Sequence, residues 1–463
     1  MAHVVVVGGG LAGISAGLAC AGSGAKVTLL EKRSRLGGLT WSFNHAGLTM
    51  DNGQHVFLRC CRCYLDFLDR IGSAGDVYLQ PRLDVTVLKA GAGEPQSASL
   101  RRNSLRAPWH LAGSLARYKF VPPAERARLA LAAFPLARMD LDDPALDQQS
   151  FEQWLLAHRQ GPKAVSYLWD LICLPTVNLP AREASLAMAA KVFQTGLLTD
   201  AGAADIGWSR VPLGALHGER GERALKKAGA SVHLGVAVDK VIHRPGGGFT
   251  VSAGGQAFDA DAVVVALPHS QVEGVLPKGA LPEGVKPSKL MSSPIVNVHV
   301  HFDRTVTHLP FAAALGSPAQ WIFDRTASSG AGRGQYLAIS VSGANELAGT
   351  RPQQLGELMV GELRRLFPRA RQAQVLTTFV TREHQATFSA VPGSSAHRAP
   401  QRSALAGLAL AGAWTSTGWP PTMESAVRSG VLAARVVLAS TGQRERLPKA
   451  PGPDKPLQLQ EVH

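Results

Sequence analysis

Residues 4–22 read VVVVGGGLAGISAGLACAG. Four β-branched residues in a row, Val4 to Val7, are apolar on both faces, as a central parallel strand requires. The run passes directly into Gly8, Gly10 and Gly13, which fit G-x-G-x-x-G. A helix-like stretch follows, then KVTLLE at 26–31, a second strand that closes on Glu31. Strand, glycine turn, helix, strand and acid form the layout of a dinucleotide-binding unit. Gly8 permits the tight turn, Gly10 lets backbone approach a pyrophosphate, and Gly13 lets helix and strand pack closely. Leu11 and Ala12 open the helix, whose first N–H groups and positive dipole end face the phosphates. Glu31, with Lys32 beside it, can hold both ribose hydroxyls. An acid at this place favours an unphosphorylated adenosine ribose, so FAD or NAD and not NADP.

Composition sets the class. The chain has 463 residues, 45% hydrophobic and 18% charged, ordinary for a globular protein of two or three domains. No apolar run reaches the length of a membrane span. The N-terminus lacks a basic n-region and its apolar run is broken by glycines, so it reads as structure and not as a signal peptide. Cys20, Cys60, Cys61, Cys63 and Cys173 are too few and too clustered for a disulfide framework, which predicts a reducing compartment, the cytoplasm. LRCCRC at 58–63 has no second pair at ligand spacing, so it predicts buried thiols at a helix start and no metal site. The net charge of +14 suits an anionic partner, though an arginine-rich surface alone also produces it. The basic residues are scattered and form no nucleic-acid module, which leaves an anionic membrane surface as the partner to consider.

Along the rest of the chain, helical patterns dominate 77–209, as in SLARYKFVPPAERARLALAAFPLARM at 114–139 and EASLAMAAKVFQTGLL at 183–198. Arg101, Arg102, Arg106, Trp109, Arg117 and Lys119 gather there beside apolar residues. They suit either a membrane surface on whose inner face the protein sits peripherally, or an amphipathic helix packed on a core. At 231–243 SVHLGVAVDKVIH reads as a strand, and residues 245–248 as a turn without a second dinucleotide loop. Residues 292–387 read as strands and one long helix. GLALAGA at 407–413 reads as a strand returning to the first sheet, and TMESAVRSG at 422–430 as the start of a last helix. The Pro-rich tail predicts disorder.

Several stretches together resemble the FAD-binding amine oxidase and phytoene desaturase superfamily: the glycine motif, KRSRLGGLTWSF at 32–43, DNGQHVFL at 51–58 and WTSTGWPPTMES at 414–425. Over nearly the whole chain the resemblance is closer to one branch, the hydroxysqualene dehydroxylases. It implies an α/β fold in which a discontinuous Rossmann-like FAD domain (1–76, 210–275, 401–440) carries two insertions. These are a helical substrate or membrane region (77–209) and a substrate-domain sheet with a helix (276–400), and a disordered tail (441–463) follows. It implies that Gly37 and Gly38 lie along the FAD pyrophosphate, with Leu39 where relatives carry arginine. The segment holding Gln54 would return along the flavin ring, and the Val238 backbone would meet the adenine. Thr422 and Met423 would present N–H groups to the ring. Gly412 and Ala413 stand where relatives have Gly-Asp, so the ribityl contact would fall to backbone or to Thr415.

The activity implied is reductive removal of the hydroxyl of hydroxysqualene, a long-chain isoprenoid alcohol, to give squalene in hopanoid biosynthesis. An electron donor must first reduce the flavin. Protonation makes water the leaving group, and hydride from reduced flavin reaches the allylic cation. Candidate acids are His55, then Asp51 and Glu424, and Trp169 or Trp419 could face the cation. A carotenoid-type desaturase running the flavin oxidatively, an amine oxidase, and a non-enzymatic prenyl-binding relative are the other readings.

Overall fold

A computed structural model describes residues 1–91, 93–442 and 447–452. At its centre is a five-stranded, wholly parallel sheet. Across it run the strands Ser231–Leu234, Lys26–Glu31, His3–Val7, Ala262–Val265 and Leu408–Leu410. Val4 to Val7 and Val263 to Val265 are fully or almost fully buried, as the β-branched runs require for a strand covered on both faces. The helix Leu11–Gly22 packs on one face of this sheet beside the last helix, Met423–Ser440. The two helices approach closely. A Cβ on Gly430 would lie 2.2 Å from the Ala12 carbonyl oxygen, and Ser15 Oγ donates to the Val427 carbonyl at 3.0 Å.

A second sheet of seven strands covers the other half of the molecule. Its longest members, Ser292–Phe302 and Val375–Phe388, pair antiparallel, and the helix Pro352–Leu366 packs behind them. The region beginning at 77 is not helical throughout. Val77–Leu79 joins a small sheet with Val56–Leu58 and Ile206–Ser209, while Asp84–Lys89 and Gln96–Arg101 extend the seven-stranded sheet through parallel pairing with Phe311–Leu315. The dominance of helical patterns expected from 77 does not extend to its first 25 residues or so: Asp84–Lys89 and Gln96–Arg101 form a hairpin, and the other strand partners lie about 130 to 230 residues on, outside any local pattern. Helices do fill the span from Ala112–Arg117 to Leu186–Phe193.

Most of the tail from 443 lies outside the described residues. Where it is described it is not free: Leu447 packs against the core of the first domain, and the Pro448 carbonyl accepts from the Arg435 guanidinium.

Candidate active site

The glycine turn has the geometry its spacing predicted. Gly8 sits at φ +102°, and a Cβ on Gly13 would fall 1.8 Å from the Gly8 carbonyl oxygen, so no larger residue fits. Leu36, Gly37 and Gly38 fold back onto the turn. The Gly37 N–H donates to the Gly9 carbonyl at 2.9 Å. Gly38, at φ +59°, approaches so closely that its Cβ would lie 2.9 Å from Gly10 Cα. The two glycine motifs thus form one continuous backbone cradle at the N-terminus of the helix Leu11–Gly22, a shape suited to a diphosphate. Leu39 is surface-exposed and carries no charge, but the Arg33 and Arg35 guanidinium groups both reach the Gly38 carbonyl at 3.4 Å, which sets two cations beside the cradle.

Glu31 is buried beside the same turn. Its carboxylate accepts the N–H of Gly9 at 2.6 Å and of Arg33 at 2.8 Å, which fixes both oxygens where a ribose would approach. Lys32 points to the surface and bonds Gln271. Val238 opens the strand Val238–His243, and a register shift before Lys240 interrupts the ladder and frees backbone there.

At the other end of the cradle stands the junction at 412–423. Gly412, at φ +137°, lies against the Trp414 ring, and its N–H is taken by Ser429 Oγ at 2.8 Å. The Ala413 carbonyl accepts from Ser425 Oγ at 3.1 Å. Thr415 cannot replace an aspartate here: its hydroxyl is buried, donates to the Gly412 carbonyl at 2.8 Å and accepts from Gln401 at 3.0 Å. Thr422 caps the helix Met423–Ser440, its side chain accepting from the Ser425 N–H, and its own N–H returns to the Pro420 carbonyl at 2.8 Å. Met423 is the first residue of the helix behind that cap.

Two of the three candidate acids are structural. Glu424 is buried. Its carboxylate accepts the N–H groups of Cys63 and Tyr64, at 3.3 and 2.8 Å, and so caps the helix Arg62–Arg70; Arg428 Nη2 stands 3.0 Å away. Burial raises its pKa, against the pull of Arg428 and the two N–H donors. Asp51 is buried too. It accepts from Ser42 Oγ at 2.7 Å, the Leu213 N–H at 2.8 Å and Arg325 Nη2 at 3.1 Å. Both carboxylates are engaged by protein donors, which speaks against the expectation of either as the proton source.

His55 differs. It lines a small hollow together with Gln54 and Arg325, and Trp208, Phe311 and Phe323 form aromatic walls. The hollow has about 10 Å³ open to the centre of a water molecule, room for one small oxygen-bearing group. His55 Nδ1 lies 3.3 Å from the Gly53 carbonyl. Burial lowers its pKa, opposed by the Gly53 carbonyl and the Asp51 charge. Gln54 Nε2 and Arg325 Nε are both buried without a hydrogen-bond partner among the described residues. Arg325 is held in place by the Ser209 carbonyl at 2.6 Å as well as by Asp51.

Arg325, Trp208, Phe311 and Phe323 carried no sequence signal, because they reach the site from segments remote from DNGQH: three from strands, and Arg325 from just after Trp321–Asp324. The tryptophans singled out from the sequence lie elsewhere. Trp169 packs on Phe151 and Phe193, with its N–H on Gln160. Trp419 has the Lys191 ammonium 5.4 Å and the Arg428 guanidinium 5.2 Å from its ring centre, which occupies its π system with protein cations. The cysteines are all free, Cys61 stands at the N-cap position of the helix Arg62–Arg70 without a side-chain capping bond, and no group of metal ligands occurs among the described residues.

A parallel dinucleotide-binding sheet assembled from the two ends and the middle of the chain, together with a large mixed sheet, defines a flavoprotein of the amine oxidase fold. The flavin containing amine oxidoreductase family matches residues 11–438, and the chain belongs to that family. Its cofactor is FAD, which the cradle, Glu31 and the buried Trp41 donor, without a partner among the described residues, fit. Among curated relatives, hydroxysqualene dehydroxylase of Zymomonas mobilis is 25% identical, covering 94% of this chain and 98% of its own. A probable zeta-carotene desaturase of Synechococcus elongatus is 24% identical over the same shares. Among solved structures, cyclohexylamine oxidase from Brevibacterium oxydans superposes with a TM-score of 0.72 at 18% identity, covering 96% of this chain and 99% of its own. That likeness speaks for the fold alone. The protein is a flavin-dependent oxidoreductase. No helix among the described residues is long and apolar enough to cross a membrane.

Proposed function

We propose that the chain reductively dehydroxylates hydroxysqualene to squalene. One observation carries this reading: the aromatic-walled hollow at His55 is lined also by Gln54 and Arg325, whose Nε2 and Nε are buried without partners among the described residues. A hydrocarbon placed there would leave both unsatisfied, at about 1–3 kcal/mol each. An alcohol oxygen would accept from them. The relatives named hydroxysqualene dehydroxylase support the reading, and the carotenoid desaturases lie at nearly the same identity, so site chemistry is what favours an alcohol.

In this reading His55 is the proton donor. As an imidazolium its Nδ1–H is held by the Gly53 carbonyl and its Nε2–H is left for the substrate hydroxyl. The C–O bond breaks as that proton joins the oxygen, and water leaves. The carbon gains a hydride and the substrate is reduced by two electrons. Bound FAD, in its reduced form, supplies that hydride, and an external electron donor restores it. Trp208, Phe311 and Phe323 line the hollow, and an aromatic face turned to the allylic cation would be worth about 0.5–2 kcal/mol.

The test is anaerobic. Reduced protein is mixed with hydroxysqualene in detergent, with flavin absorbance and product mass followed together. Squalene formed in step with flavin reoxidation supports the reading. No squalene, together with bleaching of oxidised protein by phytoene-like polyenes, would make the chain a desaturase. Gln54→Leu separates the two further, since it should weaken the alcohol about tenfold and leave squalene binding unchanged.

A further inference from the structure

The helix Pro123–Ala137 has an unusual surface. Surface helices ordinarily turn polar residues outward. Here Leu129, Ala132 and Leu136 face the core, yet the outward positions Ala130, Leu131 and Pro135 are apolar as well. Residues 129–137, LALAAFPLA, contain no polar side chain at all. Leu131 is 46% exposed, and nearby Leu105 and Trp109 are 54% and 56% exposed. Trp109 leans edge-on against Phe134, 5.6 Å between centroids, which joins the helix to the preceding turn.

Between this helix and Ala112–Arg117 runs an open groove of about 450 Å³. Its walls are Trp109, Leu115, Leu129 and Phe134 with intervening alanines and prolines. The Arg126 guanidinium donates across it to the Ala116 carbonyl. Such a groove is an apolar patch ringed by charge.

The ring has one sign. Residues 101–138 hold eight basic residues and one acid, Glu125. Glu125 turns inward, where it accepts the Ala164 N–H at 2.7 Å. Arg106, Arg117, Lys119, Arg128 and Arg138 are exposed. Two arginines drop out of the basic set read from the sequence. Arg102 is bound to the buried Asp205 through two nitrogens, at 2.7 and 2.9 Å, and Arg101 pairs with Asp84 at 3.1 Å. Reversing Arg102 would damage the fold and test nothing about the surface.

We infer that this face docks on an anionic lipid surface, with Trp109, Leu105 and Leu131 seated at the acyl boundary and Arg106, Arg117 and Arg128 among the headgroups. Apolar side chains that water would leave exposed gain burial there, and the basic ring gains the phosphate field. The groove opens at the same face, between the two helices that would lie on the lipid. The inference rests on this surface alone and stands whichever isoprenoid or other molecule the flavin site reduces or oxidises.

The experiment is co-sedimentation of the FAD-loaded full-length protein with vesicles of phosphatidylglycerol and phosphatidylcholine, against phosphatidylcholine alone, at low and high salt. Wild type should bind the anionic vesicles at least about tenfold better, with the preference falling as salt rises. Trp109→Ser with Leu131→Ser should lose binding to both vesicle types. Arg106→Glu with Arg117→Glu and Arg128→Glu should lose only the anionic preference. All these side chains are exposed, so flavin content and melting temperature serve as controls for folding. Equal binding to both vesicle types, or variants that bind as wild type does, would overturn the inference. So would a wild-type dimer that the Trp109 and Leu131 changes convert to monomer, since a second copy would then be the occupant.

Discussion

The Glu424 carboxylate accepts the backbone N–H of Tyr64 at 2.8 Å, from 360 residues further along the chain. One side chain of the last helix thereby caps the helix that follows DNGQH, and with Arg428 it forms a buried ion pair whose carboxylate end is fully enclosed. The first-turn acid that the sequence offered as a proton source is a clamp between the two ends of the FAD domain.

Glu424→Ala should therefore destabilise the fold, by about 3 kcal/mol, because it strips a partner from a buried arginine and an acceptor from two helix-end donors. Glu424→Gln keeps an acceptor and should lose less. Urea unfolding followed by circular dichroism measures both. If either variant kept wild-type stability and lost turnover instead, the clamp would be the wrong description.

Gly13→Ala should give colourless protein. The added methyl would need space already filled by the Gly8 carbonyl, at 1.8 Å. Turn and helix must then separate, and the cradle opens. Flavin absorbance per mole of purified protein is the readout, and a yellow Gly13→Ala protein would contradict the packing.

Turnover should follow the protonated fraction of His55. Burial holds its pKa below 6.5, so kcat/KM should rise as pH falls through and below that value. His55→Gln should keep FAD and lose about a hundredfold in rate. Its residual rate should be flat with pH. A pH profile unchanged by the substitution would remove His55 as the acid.

Stability should move the opposite way with pH. His217 and His299 are buried beside tyrosine hydroxyls, at 2.7 and 2.6 Å, and burial depresses each pKa to about 3. Below pH 6.5 the unfolded chain takes up protons that these rings refuse in the native state. Each ring then removes up to about 1.4 kcal/mol of stability per pH unit between 6.5 and about 3. Unfolding free energies at pH 7.5, 6 and 5 should fall more steeply for wild type than for His299→Gln. Parallel slopes would show that the ring does not titrate as described.

The nucleotide half of the fold was legible because its signals are local. Val4 to Val7, Gly13 and Glu31 lie within one βαβ unit, and the strand Leu408–Leu410 with the Thr422 cap repeats the same grammar near the end. His55 stood out in the sequence as part of the short DNGQH motif. Arg325 and Phe311 did not, since nothing near them in sequence points to DNGQH; only the pairing of remote strands brings them to it. Asp51 and Glu424 illustrate the converse. An acid in a suggestive motif says nothing of its partners, and Arg325 and the Tyr64 N–H are what decide each role.

The parallel sheet also dictates a calendar for biosynthesis. Its strand Leu408–Leu410 and the helix that covers Leu11–Gly22 emerge from the ribosome some four hundred residues after the glycine turn they complete. Until then the helix Leu11–Gly22, apolar almost all round, has no cover on its Gly430 side. The nascent chain must carry that exposed surface through most of its translation, a standing demand on chaperones.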